Sequence, residues 1–246
     1  MTVHGKTVLV TGGTAGIGEA IARAYSAAGA EVVITGRDEQ RGRQIVDSLE
    51  QAGGKARFVR ADLEHFEDLQ RLVQEVGEVD VLVNNAGSFP FGPTHAVDGE
   101  LFDATFALNV KAPFFLTAAI APGMIQRGGG AIINLGSWAA RLGIPLGTVY
   151  GSTKGALETL TRSWAAEFGP RGVRVNAISP GVIQELKPGE AHPAEAMMNG
   201  TPAGGFGKPE AIGHAAVYLA SDEAGFVHGI VLDVDGGRTT AAVVAA

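Results

Sequence analysis

The chain has 246 residues, 46% of them hydrophobic and 18% charged, with 26 acidic side chains against 19 lysines and arginines and a formal net charge of −7. That length suits one α/β domain around a single core, and no Pro/Gly/Ser tract, charge block or repeat marks a second. An acidic balance gives no broad attraction for phosphate backbones, and the absence of cysteine excludes disulfides, thiolate zinc sites and thiol nucleophiles together. The start, Met1–Lys6, runs straight into a strand without the apolar region of a signal peptide. The apolar uncharged stretch Ala112 to Gln126 is 15 residues and holds Pro113 and Pro122, too short and too broken to span a bilayer. A cytoplasmic protein with no nucleic-acid or membrane partner is expected. Its surplus of apolar surface suits an oligomer interface.

Short β-branched runs alternate with longer helical patterns, the signature of βαβ units and a parallel sheet. Strands are expected at Thr7–Thr11, Glu31–Thr35, Ala56–Arg60, Asp80–Val83, Ala131–Leu135, Val173–Ala177 and Gly229–Asp233. Helices are expected at about Gly16–Ala28, Asp38–Ala52, Phe66–Val76, Gly99–Gln126, Val149–Phe168 and Pro209–Ala220. Several strands are apolar with little alternation, as strands covered on both faces should be. The pattern predicts a Rossmann-type doubly wound sheet, with ligands at the carboxyl ends of its strands. The Gly/Pro-rich stretch Gly181–Lys208 is long for a connection and is expected to be a functional loop.

The first strand ends in Thr11-Gly12-Gly13-Thr14-Ala15-Gly16-Ile17-Gly18 and opens into a helix. Glycines permit a sharp turn and close approach to a pyrophosphate, while the helix start offers free N–H groups and a positive dipole end. After the second strand come Gly36 and Arg37, a guanidinium in place of the carboxylate that would accept from a ribose 2′-hydroxyl. This favours NADP(H), with NAD(H) the alternative. Asp38 suits the cap of the next helix. Asp62 suits either an adenine contact or a cap for the helix near Phe66. Asn84-Asn85-Ala86-Gly87 closes the fourth strand, where its amides can brace the sheet and floor a cofactor site.

Ser137 follows the fifth strand, and Tyr150 and Lys154 stand one helical turn apart on one face. A phenol titrates near ~10, and a neighbouring ammonium favours the phenolate. Ser137 can hold a substrate oxygen while Tyr150 moves the proton. Phe89, Phe91, Trp138 and Phe206 suit either the lining of an apolar substrate pocket or ordinary packing. The six histidines (His4, His65, His95, His192, His214 and His228) show no ligand spacing, so no metal is expected. The ending Ala241–Ala246 is apolar and suits either contact with a neighbouring subunit or a frayed end.

Taken together, the glycine-rich loop, Asn-Asn-Ala-Gly, Ser137 and Tyr150-x-x-x-Lys154 resemble the short-chain dehydrogenase/reductase family from Lys6 to Gly237, in its 3-oxoacyl-[acyl-carrier-protein] reductase-like branch. The resemblance implies a homotetrameric oxidoreductase that interconverts ketones and secondary alcohols. It adds Asn109 as a fourth catalytic position that helps hold a water for proton relay. It assigns cofactor contacts to Gly12, Thr14, Ala15, Gly16, Ile17, Gly18, Arg37, Asp62, Leu63, Asn85, Ala86, Gly87, Tyr150, Lys154, Pro180, Gly181 and Ile183. Two positions depart from the family pattern: Glu185 where relatives carry Thr, and Gly205 where they often carry Arg. A non-catalytic dinucleotide sensor is the rival from another class, and such proteins tend to lose the Tyr or Lys present here.

Overall fold

The computed structural model describes residues 3–184 and 197–241. Glu185, His192, the middle of the Gly181–Lys208 loop and the residues after Ala241 lie outside the described residues.

Each expected strand forms. β1 (Thr7–Thr11), β2 (Glu31–Gly36), β3 (Lys55–Arg60), β4 (Val81–Asn84), β5 (Gly130–Leu135), β6 (Val173–Pro180) and β7 (Val231–Val234) make one parallel sheet in the order β3-β2-β1-β4-β5-β6-β7. Some boundaries move. β6 runs past Ala177 to Pro180 because both neighbours continue alongside it, Leu135 opposite Ile178 and Val234 opposite Pro180. β7 starts at Val231, not Gly229, since Gly229 has a φ of 69° that no pleated strand accepts. β4 shifts one residue on, so that Asn84 pairs with Asn134 across the sheet.

The connecting helices are α1 (Gly16–Ala27), α2 (Glu39–Gln51), α3 (Phe66–Val76), α4 (Gly99–Phe106), α5 (Ala112–Gln126), α6 (Thr148–Phe168) and α7 (Pro209–Ala220). A π-helical segment, Ala107–Lys111, joins α4 to α5. The helix expected at Gly99–Gln126 forms as one continuous run of 28 residues, apolar enough by length and composition to cross a membrane, so the 15-residue stretch Ala112–Gln126 is part of a longer apolar helix. Pro113 sits in the first turn of α5, where the missing N–H costs little. Leu116, Ile120 and Met124 of the same helix are buried against the sheet, as a core helix requires.

Strand side chains alternate between two cores. Val8, Val10, Val32, Ile34, Val81 and Val83 pack with α1 and α7 on one face, while Leu9, Val33, Leu82, Ile132 and Val175 pack with α3, α5 and α6 on the other. Both faces are dry, so the strands read as continuous apolar runs. The strand order reverses between β1 and β4, which opens a crevice at their carboxyl ends. The glycine-rich loop and Asn84–Gly87 both emerge there.

Candidate active site

A cleft of about 890 Å³ occupies that crevice. It is lined by Gly12, Ala15, Gly16, Ile17 and Gly18 from the first loop, Asn85, Ala86 and Gly87 after β4, and Pro180, Gly181 and Ile183 after β6. Ser137, Tyr150 and Lys154 line the same space. Residues from five separate stretches of chain thus meet where the parallel sheet brings its strand ends together.

The first loop is built around close backbone approach. A Cβ on Gly18 would lie 2.1 Å from the Gly12 carbonyl oxygen and 2.5 Å from Asn85 Nδ2, so only glycine lets α1 abut the loop. Gly16 (φ 52°) has open space where a side chain would project. Ala15 is the N-cap of α1 and offers no side-chain oxygen, which leaves the first N–H groups available to an anion. Asn85 locks the neighbouring loop: its Nδ2 donates to the carbonyls of Thr11 (2.8 Å) and Gly12 (3.2 Å), and its N–H donates to Thr11 Oγ1. This glycine cradle at a helix start fits the diphosphate of a dinucleotide.

Thr14, Arg37, Asp62 and Leu63 do not line the main cleft. Thr14 packs beside Gly36 at the end of β2. Arg37 is largely exposed and pairs with Glu64 at 3.5 Å. Asp38 caps α2, accepting from Arg41 N–H at 3.0 Å. The cap reading of Asp62 is corrected. Its carboxylate accepts from Glu64 N–H, whereas the position before α3 is His65, without a side-chain cap, and Asp68 reaches back to Asp62 N–H. Leu63 is buried in the core, which leaves only its backbone to face a ligand.

Ser137 is buried directly after β5, its Oγ accepting from Ala139 N–H at 3.2 Å. Lys154 is buried too, with Nζ 2.6 Å from the Leu135 carbonyl oxygen and 5.7 Å from the Tyr150 ring centre. The expected lowering of Tyr150 by Lys154 is not what the protein's groups produce. Burial raises the phenol, the Ser137 hydroxyl offsets part of that rise, and the lysine is spent on a carbonyl. Burial also pulls Lys154 down from 10.5 to about 8.

A lysine with a folded pKa below its unfolded one resists protonation in the native state. Between about pH 8 and 10.5 the unfolded chain therefore holds more of that proton, and native stability gains as pH rises. Lys154→Met is expected to flatten this gain. Urea midpoints of both proteins near either end of that window check it, and identical pH slopes would count against the buried ammonium.

Asn109 lies buried in the π-helical segment. Its Nδ2 donates to the Ser88 carbonyl (2.8 Å) and to Thr153 Oγ1 (3.0 Å), and its Oδ1 accepts from Ser88 N–H. Both amide protons are committed, so the side chain ties the strand-end loop to α6.

Sequence reading missed several neighbours. Arg141 donates to both carboxylate oxygens of Asp233 and to Ser179 Oγ at 2.8 Å, and it lies 3.7 Å from Glu158. It anchors the segment that carries Ser137 to β6, β7 and α6, and no local signal links positions 92 apart. Val182, Ile144 and Met197 join Phe89, Phe91 and Trp138 in lining the cleft, whereas Phe206 does not line it.

A family model described as enoyl-(acyl carrier protein) reductase matches residues 12–239. A solved short chain dehydrogenase/reductase family protein is 46% identical, with 98% of this chain and 100% of that one covered at a TM-score of 0.88. A 7α-hydroxysteroid dehydrogenase complexed with NADH and an oxo bile acid is 36% identical, covering 96% and 95% of the two chains at 0.90. A gluconate 5-dehydrogenase from Burkholderia cenocepacia, complexed with NADP and tartrate, is 32% identical, covering 98% of each chain at 0.91. With a family model over most of its length and relatives of this identity covering nearly all of it, the chain belongs to the short-chain dehydrogenase/reductase family, oxidoreductases that act on alcohols and ketones.

Proposed function

We propose that the protein is an NADP(H)-dependent oxidoreductase that interconverts a ketone and a secondary alcohol, with Tyr150 as its acid and base. The observation that carries this reading is the meeting of Ser137, Tyr150 and Lys154 in one cleft with the glycine-rich loop. The loop at Gly12–Gly18 would hold the diphosphate, with Asn85–Gly87 and Pro180–Ile183 beneath the nicotinamide end. When bound, the reduced dinucleotide supplies a hydride. The Ser137 hydroxyl holds the carbonyl oxygen, and the Tyr150 phenol, kept protonated by burial, donates the proton that completes the alcohol. Lys154 positions the tyrosine and the ribose, and Asn109 acts by holding the Ser88 loop. Assay of purified protein against ketones and alcohols with both cofactors, followed by the absorbance of the reduced nicotinamide, tests the reading.

The choice of NADP(H) rests on Arg37. Its guanidinium is largely exposed and loosely paired with Glu64, and Asp38, the carboxylate that could oppose a 2′-phosphate, is engaged as a helix cap. Charge-assisted hydrogen bonds contribute roughly 1.5–3 kcal/mol, so NADPH is expected to bind about ten- to a hundredfold more tightly than NADH. Arg37→Ala should weaken NADPH alone. Titration of both reduced cofactors decides it, and tighter NADH binding by the parent protein would overturn the assignment.

The same reading includes one folding unit, assembled as a homotetramer in the cytoplasm. Leu101, Phe102, Phe114 and Phe115 leave an apolar face open along α4 and α5, which supports association. Light scattering after size-exclusion chromatography gives the mass that tests it.

A further inference from the structure

The walls of the cleft around Tyr150 and Ser137 are mainly apolar. Phe89 sets its ring edge-to-face against Tyr150, with centroids 6.5 Å apart, and is itself 71% exposed. Phe91 is 57% exposed and lies against the Ile144–Gly147 turn, which a hydrogen bond of 2.8 Å from Gly92 N–H to the Leu146 carbonyl holds in place. Trp138 and Ile144 line the cleft beside Ser137, and Met197 adds a flexible thioether. Large aromatic rings left open to solvent inside a cleft, not scattered on a surface, mark a surface that a ligand covers.

The polar inventory is equally restrictive. Among the described lining residues Lys154 is the only charged one, and its ammonium is bonded to a backbone carbonyl. Asn85 is spent on the first loop, and Ser88 and Gln184 add only one hydroxyl and one amide to the lining. Nearby cations are turned elsewhere: Arg141 is held by Asp233 and Ser179, and Arg238 lies 5.6 Å from the Trp138 ring centre without lining the cleft. A substrate carrying several hydroxyls or a carboxylate would bury groups that find few partners here, and such groups are expensive to leave unpaired.

We propose that the site takes an uncharged, predominantly apolar ketone or secondary alcohol, with a hydrocarbon ring or aryl group beside the reacting carbon, packed among Phe89, Phe91, Trp138 and Ile144. This rests on the oxidoreductase reading above. In reduction the carbonyl carbon gains a hydride from the reduced dinucleotide and the oxygen gains the Tyr150 proton, so the ketone becomes the alcohol and the dinucleotide is oxidised. Ring-on-ring contact selects the substrate's body, while Ser137 and Tyr150 supply the two polar contacts its oxygen needs.

The test compares acetophenone and cyclohexanone with L-xylulose and 5-keto-D-gluconate, each with NADPH and with NADH. The apolar ketones are expected to show kcat/KM values at least about a hundredfold higher, the scale of discrimination that buried unpaired polar groups impose. Phe89→Ala and Phe91→Ala, both at rings exposed enough to remove without touching the core, should each lower kcat/KM for acetophenone about tenfold or more. Turnover of the polyhydroxy ketones at an equal or better rate overturns the substrate class and leaves the oxidoreductase reading standing. If no ketone turns over, that reading falls. Calorimetric binding of acetophenone that weakens in Phe89→Ala would then still support an apolar ligand site, and absence of binding would end both.

Discussion

Tyr150→Phe is expected to lower ketone turnover by roughly 10²–10⁴-fold, the usual contribution of a general acid, while the fold and dinucleotide affinity stay near those of the parent. The substitution removes one oxygen from a ring whose remaining contacts, to Phe89 and to the Lys154 ammonium, do not depend on it. The direction of the tyrosine's shift adds a pH signature. Burial raises the phenol above its ordinary value, so it stays protonated through neutrality, the form that reduction needs. Oxidation needs the phenolate and should gain rate as pH rises, while reduction should hold its rate near neutrality and lose it only in strongly alkaline solution. Initial rates in both directions across pH, for parent and variant, check this. A Tyr150→Phe protein with near-parental turnover would remove the proposed mechanism.

Asn134→Leu is expected to cost about 2–4 kcal/mol of stability, a loss set by stranding buried polar groups. Asn134 sits fully buried on β5, where its Oδ1 accepts from Asn84 Nδ2 at 2.8 Å and its Nδ2 donates to Thr161 Oγ1 at 2.9 Å. Leucine matches the volume but leaves the Asn84 amide with only Thr117 at 3.4 Å, in a side chain whose Oδ1 already lacks a partner. For a protein of this size the loss should lower the thermal midpoint by roughly 5–15 °C. Because Asn84 leads into the Asn85–Gly87 floor of the cleft, dinucleotide affinity should fall as well. Thermal unfolding followed by circular dichroism tests the first claim, and an unchanged midpoint would show that the network carries no net stability.

The alternation of runs and glycines carried most of the fold and the centre of the site. β1, α3 and α7 begin and end where the periodicity places them, because each is bounded by local chemistry: Lys6 before a β-branched run, His65 and Gly77 around an amphipathic stretch, Pro209 at a helix start. Ser137, Tyr150 and Lys154 were legible for a related reason, since helical spacing puts Tyr150 and Lys154 on one face and the strand end delivers Ser137.

What stayed hidden depends on partners far away in the chain. The Asn84–Asn134–Thr161 network and the Arg141–Asp233 pair join residues from different strands and helices, and no local pattern names the partner. The π-helical turn holds Asn109, whose side chain bonds the Ser88 backbone 21 residues away, a contact that no local pattern names. The amino-acid sequence by itself determined the alternating strands and helices, the glycine loop and the side chains that meet in the cleft, because spacing and backbone freedom are local properties. Tertiary structure alone decided which groups are dry. Burial raised the Tyr150 phenol and lowered the Lys154 ammonium, and it left two phenylalanines facing an open cleft, because desolvation belongs to the packed surroundings of a group and not to its neighbours in the chain.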